Sequence, residues 1–222
     1  MLFRSILFGF PAPILLALLL NEIRSNAFKR TVQTITYMPY FISMMVVASL
    51  ILEFASPRGI AGVYFNLIGE QPRSMLGDSG YFRSIYVLSN IWQYMGFNSI
   101  IFLAALAGID QELYEAATID GAGRLRRLWH ITLPGIRPTI TILLILRLGS
   151  TLNVGFEKIF LIYNSGIYET ADVISTFVYR KGLMDMQFGY STAVGLFNSL
   201  INFTILVLAN YISGRVSETS LW

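Results

Sequence analysis

The chain contains no cysteine and a single histidine, His130. The first absence excludes a disulfide framework and a thiolate metal site. The second leaves no cluster able to hold zinc or to build a Ser/His/Asp arrangement. Charge is scarce too: Asp, Glu, Lys and Arg make up 13% of the residues, about half the share of a soluble domain. The net charge of +3 is too small to point to nucleic acid, and basic loops on the cytoplasmic side of a membrane account for it. A phosphate-cradling GxxxxGK loop followed by Ser or Thr is missing as well, so no nucleotide-hydrolysing site of that kind is present.

Apolar sequence is what the chain has in plenty. Of its 222 residues 55% are hydrophobic, and the mean hydropathy is +0.60. One water-soluble core cannot absorb that much, which makes this an integral membrane protein built of helices. Five spans are expected near 2–20, 34–54, 84–107, 136–163 and 191–212. The first is just long enough to cross. Arg4 before an apolar run also fits a signal peptide, but Asn21-Glu22-Ile23-Arg24 offers no small-residue cleavage site. Residues 55–83 and 164–190 are polar enough for external loops, with short helices expected near 60–68 and 171–181.

The stretch 108–135 is a polar interruption with a helical pattern of its own. Asp110 is placed to cap a helix carrying Leu113, Ala116, Ala117 and Ile119. Gly121 and Gly123 then permit a sharp turn, and a second short helix is expected from Arg124 to about Ile131, with Pro134 marking its limit. Such a hairpin between spans reads as a rigid knob offered to a soluble partner, with small Ala116 and Ala117 allowing close approach. An amphipathic hairpin lying on lipid is the bland alternative.

Glu115-Ala116-Ala117, Gly121, and Ile131, Leu133 and Pro134 at their spacing resemble, at every defined position, the EAA loop of type I, binding-protein-dependent ABC-importer permeases. The likeness extends over nearly the whole chain to the maltose-type carbohydrate permeases, closest to the branch that imports oligosaccharides and polysaccharide fragments. It implies a transport subunit of the bacterial cytoplasmic membrane with no catalytic residues, metal or cofactor of its own. ATP and Mg would sit on a cytoplasmic ATPase dimer docked at the loop. A second, related permease and an extracellular sugar-binding lipoprotein would complete the assembly. Lys and Arg divide eight to six in favour of the inner side, a weak bias, so the resemblance sets the orientation. Five spans with the C-terminus inside put Met1 outside, where no helix delivers it, and a missing N-terminal span is the expected explanation.

Polar groups inside the spans are costly against lipid and should face the bundle interior or a wet cavity. Asn90 and Tyr94 are four apart, as are Asn153 and Glu157, so each pair shares a helical face. The resemblance places Asn90, Gln93, Tyr94, Phe97 and the Asn153–Glu157 neighbourhood in the region that contacts sugar. Amides exchange hydrogen bonds with hydroxyls, and aromatics stack on sugar rings. Interhelical bonding that merely holds the bundle is the competing role for any one asparagine.

Arg147 lies about ten residues into its span, roughly 15 Å along a helix. A lone arginine there costs roughly 2.5–3.5 kcal/mol, so it needs an anion, carbonyls or water. A carboxylate on another subunit or an acidic sugar would serve. Two other readings remain open: a permease of the same fold for an amino acid, a metal or phosphate, and a membrane-embedded enzyme using Glu157 and Arg147.

Overall fold

The computed structural model describes residues 2–152 and 155–217, and they form an all-helical bundle. Its N-terminal arm is α1 (Leu2–Gly9) and α2 (Pro11–Glu22), divided just before Pro11. Among the described residues three helices are long and apolar enough to cross a membrane, 3–22, 124–149 and 188–215, or up to five if each of two bent pairs counts as one span.

Ser25 starts α3 (Asn26–Tyr37) by accepting a hydrogen bond from the Phe28 amide. Helix therefore begins already in the interval 21–33, between the first two expected spans. Pro39 lies in a tight turn, Met38–Phe41, and Ser43 caps α4 (Met44–Phe54). The chain turns through 99° between these helices. Pro39 thus sits in the corner where the second expected span, 34–54, is broken.

After α5 (Ile60–Leu67), Asp78 caps the central helix α6 (Ser79–Ala107) through the Gly80 amide at 2.8 Å. Helix α6 has two apolar ends. Its N-terminal part (Phe82, Tyr86, Val87) packs with Val47 and Ile51 of α4 and with Ile159 and Ile162. Its C-terminal part (Phe102, Leu106) packs with Ala17 of α2 and with Ile136. Near its middle, Gly96 meets the α3 backbone: a Cβ there would stand 1.9 Å from the Thr36 carbonyl oxygen. Only a residue without a side chain fits that crossing.

A hairpin follows, α7 (Gln111–Ile119) and α8 (Arg124–Arg127). Beyond it a wide π turn, Leu128–Thr132, leads into α9 (Leu133–Gly149). Pro134 does not end the second short helix as the sequence suggests. Helix is continuous over 124–149, and Pro134 falls inside it, two residues after the π turn.

The expected fourth span, 136–163, is likewise not one helix. Helix α9 stops at Gly149, and α10 (Phe156–Ile162) begins after Gly155. Asn202 accepts a hydrogen bond from the Leu152 amide at 3.2 Å within this break, occupying one of the backbone groups the interruption frees. Outside it, α11 (Tyr168–Ala171) and α12 (Ile174–Tyr179) are clamped by Asp172, which accepts from Arg180 at 2.9 Å. Helix α13 (Phe188–Ser217) then runs back along α9. Its Leu196, Phe197, Leu200 and Phe203 are exposed, an apolar face fit for lipid or another membrane subunit.

Candidate functional site

Between the two apolar ends of α6 lies a cavity of about 610 Å³, within the usual range for small-molecule sites. Helix α6 supplies Tyr86, Asn90, Tyr94 and Asn98 to its wall. They recur every four residues, which keeps them along one face. The broken fourth segment supplies Arg147, Ser150, Thr151, Gly155 and Lys158. The corner after α3 adds Tyr40, and the N-terminal arm adds Ser5 and Phe10.

Lys158 is the most buried charge among the described residues, only 1% exposed. Its ammonium donates to Asn90 Oδ1 at 2.8 Å and lies 5.5 Å from the centre of the Tyr94 ring. An amide oxygen and an aromatic face each offset part of the cost of burying that charge. Arg147 is exposed toward the wall, with no side-chain hydrogen bond or ion pair among the described residues. Its backbone carbonyl accepts from Ser150 at 3.1 Å and from Thr151 at 3.0 Å, tightening the end of α9.

The sequence-selected residues divide. Asn90 and Tyr94 line the cavity, and Arg147 joins them. Gln93 is buried away from it, with Oε1 making no hydrogen bond. Phe97 is also outside the lining, stacked flat on Tyr40 at 3.8 Å between ring centres. It backs a residue of the wall and does not form the wall. Glu157 is exposed and outside the lining; the break in the fourth segment presents its neighbour Lys158 instead. Asn153 lies outside the described residues. Asn98, Tyr40 and Lys158 line the cavity as well, outside the passage residues selected from sequence. Asn98 continues the spacing of Asn90 and Tyr94, a readable signal. Tyr40 and Lys158 depend on a corner and a helix break that periodicity alone does not place.

The second candidate surface is the hairpin. Asp110 Oδ1 accepts from the Glu112 amide at 2.9 Å and starts α7. Gly121 turns the chain with φ +71°, a conformation that favours glycine. Gly123 needs no such freedom, since its φ is −67°. The turn is locked by the Ala122 amide on the Ala117 carbonyl at 2.8 Å and by Arg127 on Thr118 Oγ1 at 3.0 Å. The Tyr114 hydroxyl, 3.0 Å from Thr132 Oγ1, ties α7 to the π turn.

Glu115, Ala116 and Gly121 are exposed and Ala117 half-buried, while Ile131 and Leu133 are half-buried and Pro134 exposed. Tyr114, Glu115, Thr118, Ile119 and Arg127 frame a shallow hollow. Ile119, Leu125 and Trp129 stand around the hairpin at 87%, 73% and 64% exposure. A rigid polar elbow ringed by bare apolar side chains is suited to burial against a partner.

Known proteins carry the same architecture. A solved bacterial ABC transporter "involved in the import of the acidic polysaccharide alginate" matches with a TM-score of 0.92 and 47% identity, over 96% of this chain and 75% of that one. Protein LplB of Bacillus subtilis (strain 168) is 48% identical over 220 residues, 98% of this chain and 69% of that protein. The polygalacturonan/rhamnogalacturonan transport system permease protein YteP of the same organism is 45% identical over 217 residues, 96% of this chain and 67% of that protein. The model of the binding-protein-dependent transport system inner membrane component family matches residues 9–218, and this chain belongs to that family.

Proposed function

We propose that this chain is the permease subunit of an ATP-driven importer and passes oligosaccharides, as fragments of larger polysaccharides, inward by alternating access. The observation that carries the reading is the mid-bundle cavity walled by amides, hydroxyls and aromatic rings. That set matches the alternating polar and flat faces of sugar chains. Two of the proteins named above support it: the solved transporter is described for import of the polysaccharide alginate, and YteP is named for polygalacturonan/rhamnogalacturonan transport.

Coupling follows from how the hairpin is attached. Helix α6, which bears Asn90 and Tyr94, turns through 68° into α7. On the other side 26 residues of continuous helix run from Arg124 to Gly149, about 39 Å at 1.5 Å per residue. Arg147, Ser150 and Thr151 stand at the far end of that rod. Force applied to Glu115–Gly121 therefore reaches the cavity wall from two sides. A cytoplasmic ATPase dimer holding ATP and Mg would dock there and bind the hairpin differently in its open and closed states, which biases the bundle between inward- and outward-open forms. A second permease would cover the apolar face of α13, and an extracellular sugar-binding protein would deliver the substrate.

Co-purification with neighbouring-gene candidates for those partners, followed by reconstitution in liposomes, tests the proposal. ATP hydrolysis should rise with at least one member of a panel of oligosaccharide digests and not with amino acids or phosphate. Stimulation by amino acid or phosphate alone would refute the sugar assignment.

A further inference from the structure

We propose that the cavity recognises an acidic oligosaccharide, with Arg147 contacting a sugar carboxylate and Lys158 setting the positive field; this rests on the oligosaccharide reading above. Arg147 and Lys158 both line the cavity, and no Asp or Glu does. The ion pairs among the described residues are Arg73–Glu70, Arg180–Asp172 and Lys181–Asp185, so neither cavity cation has an anion. Glu157, the nearest acid in sequence to Lys158, is exposed and outside the wall. Neither undescribed residue in the break, Asn153 or Val154, is an acid.

Two charges without a counter-ion at the wall are costly in a membrane-embedded bundle, and a neutral sugar needs neither. Amides and hydroxyls such as Asn90, Asn98 and Tyr94 supply hydrogen bonds without that cost. An anionic substrate changes the balance. The guanidinium of Arg147 is free to offer a planar fork that matches a carboxylate. Among the described residues the Lys158 ammonium makes a single hydrogen bond, to Asn90, although an ammonium has three donors. It fixes Asn90 at the wall and adds a second positive charge where substrate passes.

The test uses the complete detergent-solubilised transporter, both permeases and the ATPase, without nucleotide and without the binding protein, so that affinity reports the cavity. Trimers of galacturonate and of mannuronate are titrated beside their carboxyl-reduced neutral counterparts. At least one uronate trimer should bind about tenfold or more tightly than its neutral twin, the scale of one charge-assisted bond. That advantage should shrink as salt is raised in the wild type, a readout that needs no variant. Arg147→Gln and Lys158→Met should each bring acid and neutral affinities to within about threefold, while Arg147→Lys keeps a clear preference. A merely structural loss would weaken both sugars equally. Equal affinity of the wild type for acid and neutral trimers would assign the counter-charge to another subunit and overturn this inference alone. Binding of a sugar phosphate in preference to both uronates would overturn the carboxylate assignment. Failure of every saccharide to bind would overturn the oligosaccharide reading and this inference with it.

Discussion

Replacing Gly96 by alanine tests whether the crossing of α3 and α6 sets the shape of the cavity. A Cβ at Gly96 would lie 1.9 Å from the Thr36 carbonyl oxygen, 2.4 Å from its carbon and 3.0 Å from the Tyr37 nitrogen. All three are backbone atoms, so no side chain can rotate away. Relief requires α3 to move about 1.5 Å, and close-packed interiors resist such a shift. Overpacking costs about 1–3 kcal/mol, here toward the upper end because backbone opposes the new methyl. The helix propensity of alanine returns up to about 1 kcal/mol. The net is a loss of about 2 kcal/mol, a fall in melting temperature of about 4–8 °C on the scale of soluble chains this long. Because α3 leads directly into the corner holding Tyr40, substrate-stimulated ATP hydrolysis should fall as well. The assay is thermal unfolding of the detergent-solubilised transporter, with Gly189→Ala as reference, since nothing lies within 4 Å of a Cβ there. A Gly96→Ala protein that melts with the wild type and responds normally to substrate would refute the proposed crossing.

Gly121→Val should leave the spans inserted but uncouple ATP hydrolysis from transport, because a β-branched residue is strained at φ +71°; normal substrate stimulation would count against the docking role. Cysteine at Ser165 should be labelled from outside and cysteine at Arg126 only after permeabilisation, and the reverse would invert the assigned sides. Tyr94→Ala should weaken transport at least several-fold while the transporter still assembles, and unimpaired uptake would remove Tyr94 from the passage. Acid should loosen the external segment: burial pushes the Asp172 carboxyl up, but hydrogen bonds from Arg180 and Thr176 more than offset this and hold it below the usual carboxylate range. A depressed folded value stabilises at pH above the unfolded value of about 3.9 and is lost as pH falls through the folded one. Amide exchange in 172–180 should therefore rise below about pH 4 in the wild type, whereas Asp172→Asn should be loose at every pH; acid-independent exchange in the wild type would contradict the clamp.

Features written in local backbone chemistry were legible from the sequence. Asp110 caps α7 because its short side chain reaches the amide two residues on, and Gly121 turns the chain because the conformation required is open to few other residues. Both depend on neighbours within a few positions. The 99° corner at Pro39 was not legible in full, because proline marks an interruption without fixing its angle. The angle arises from the capped restart at Ser43 and from α3 lying against Gly96, a contact between residues sixty positions apart.

The exchange of Glu157 for Lys158 in the cavity wall has the same origin. Counting a single helix through 136–163 puts Asn153 and Glu157 on one face, since four residues return nearly to the same angle. The count holds only while the helix is unbroken. Gly149, Ser150, Thr151 and Gly155 stand together in the middle of that segment, residues that weaken helix through glycine's freedom and through hydroxyls competing for backbone groups. Helix stops at Gly149 and restarts after Gly155, so the phase before the break says nothing about the phase after it. Where a residue's charge must face a wet cavity, an error of one position is an error of about 100° and of sign: a carboxylate in the wall would repel an acidic substrate, and the ammonium found there attracts one.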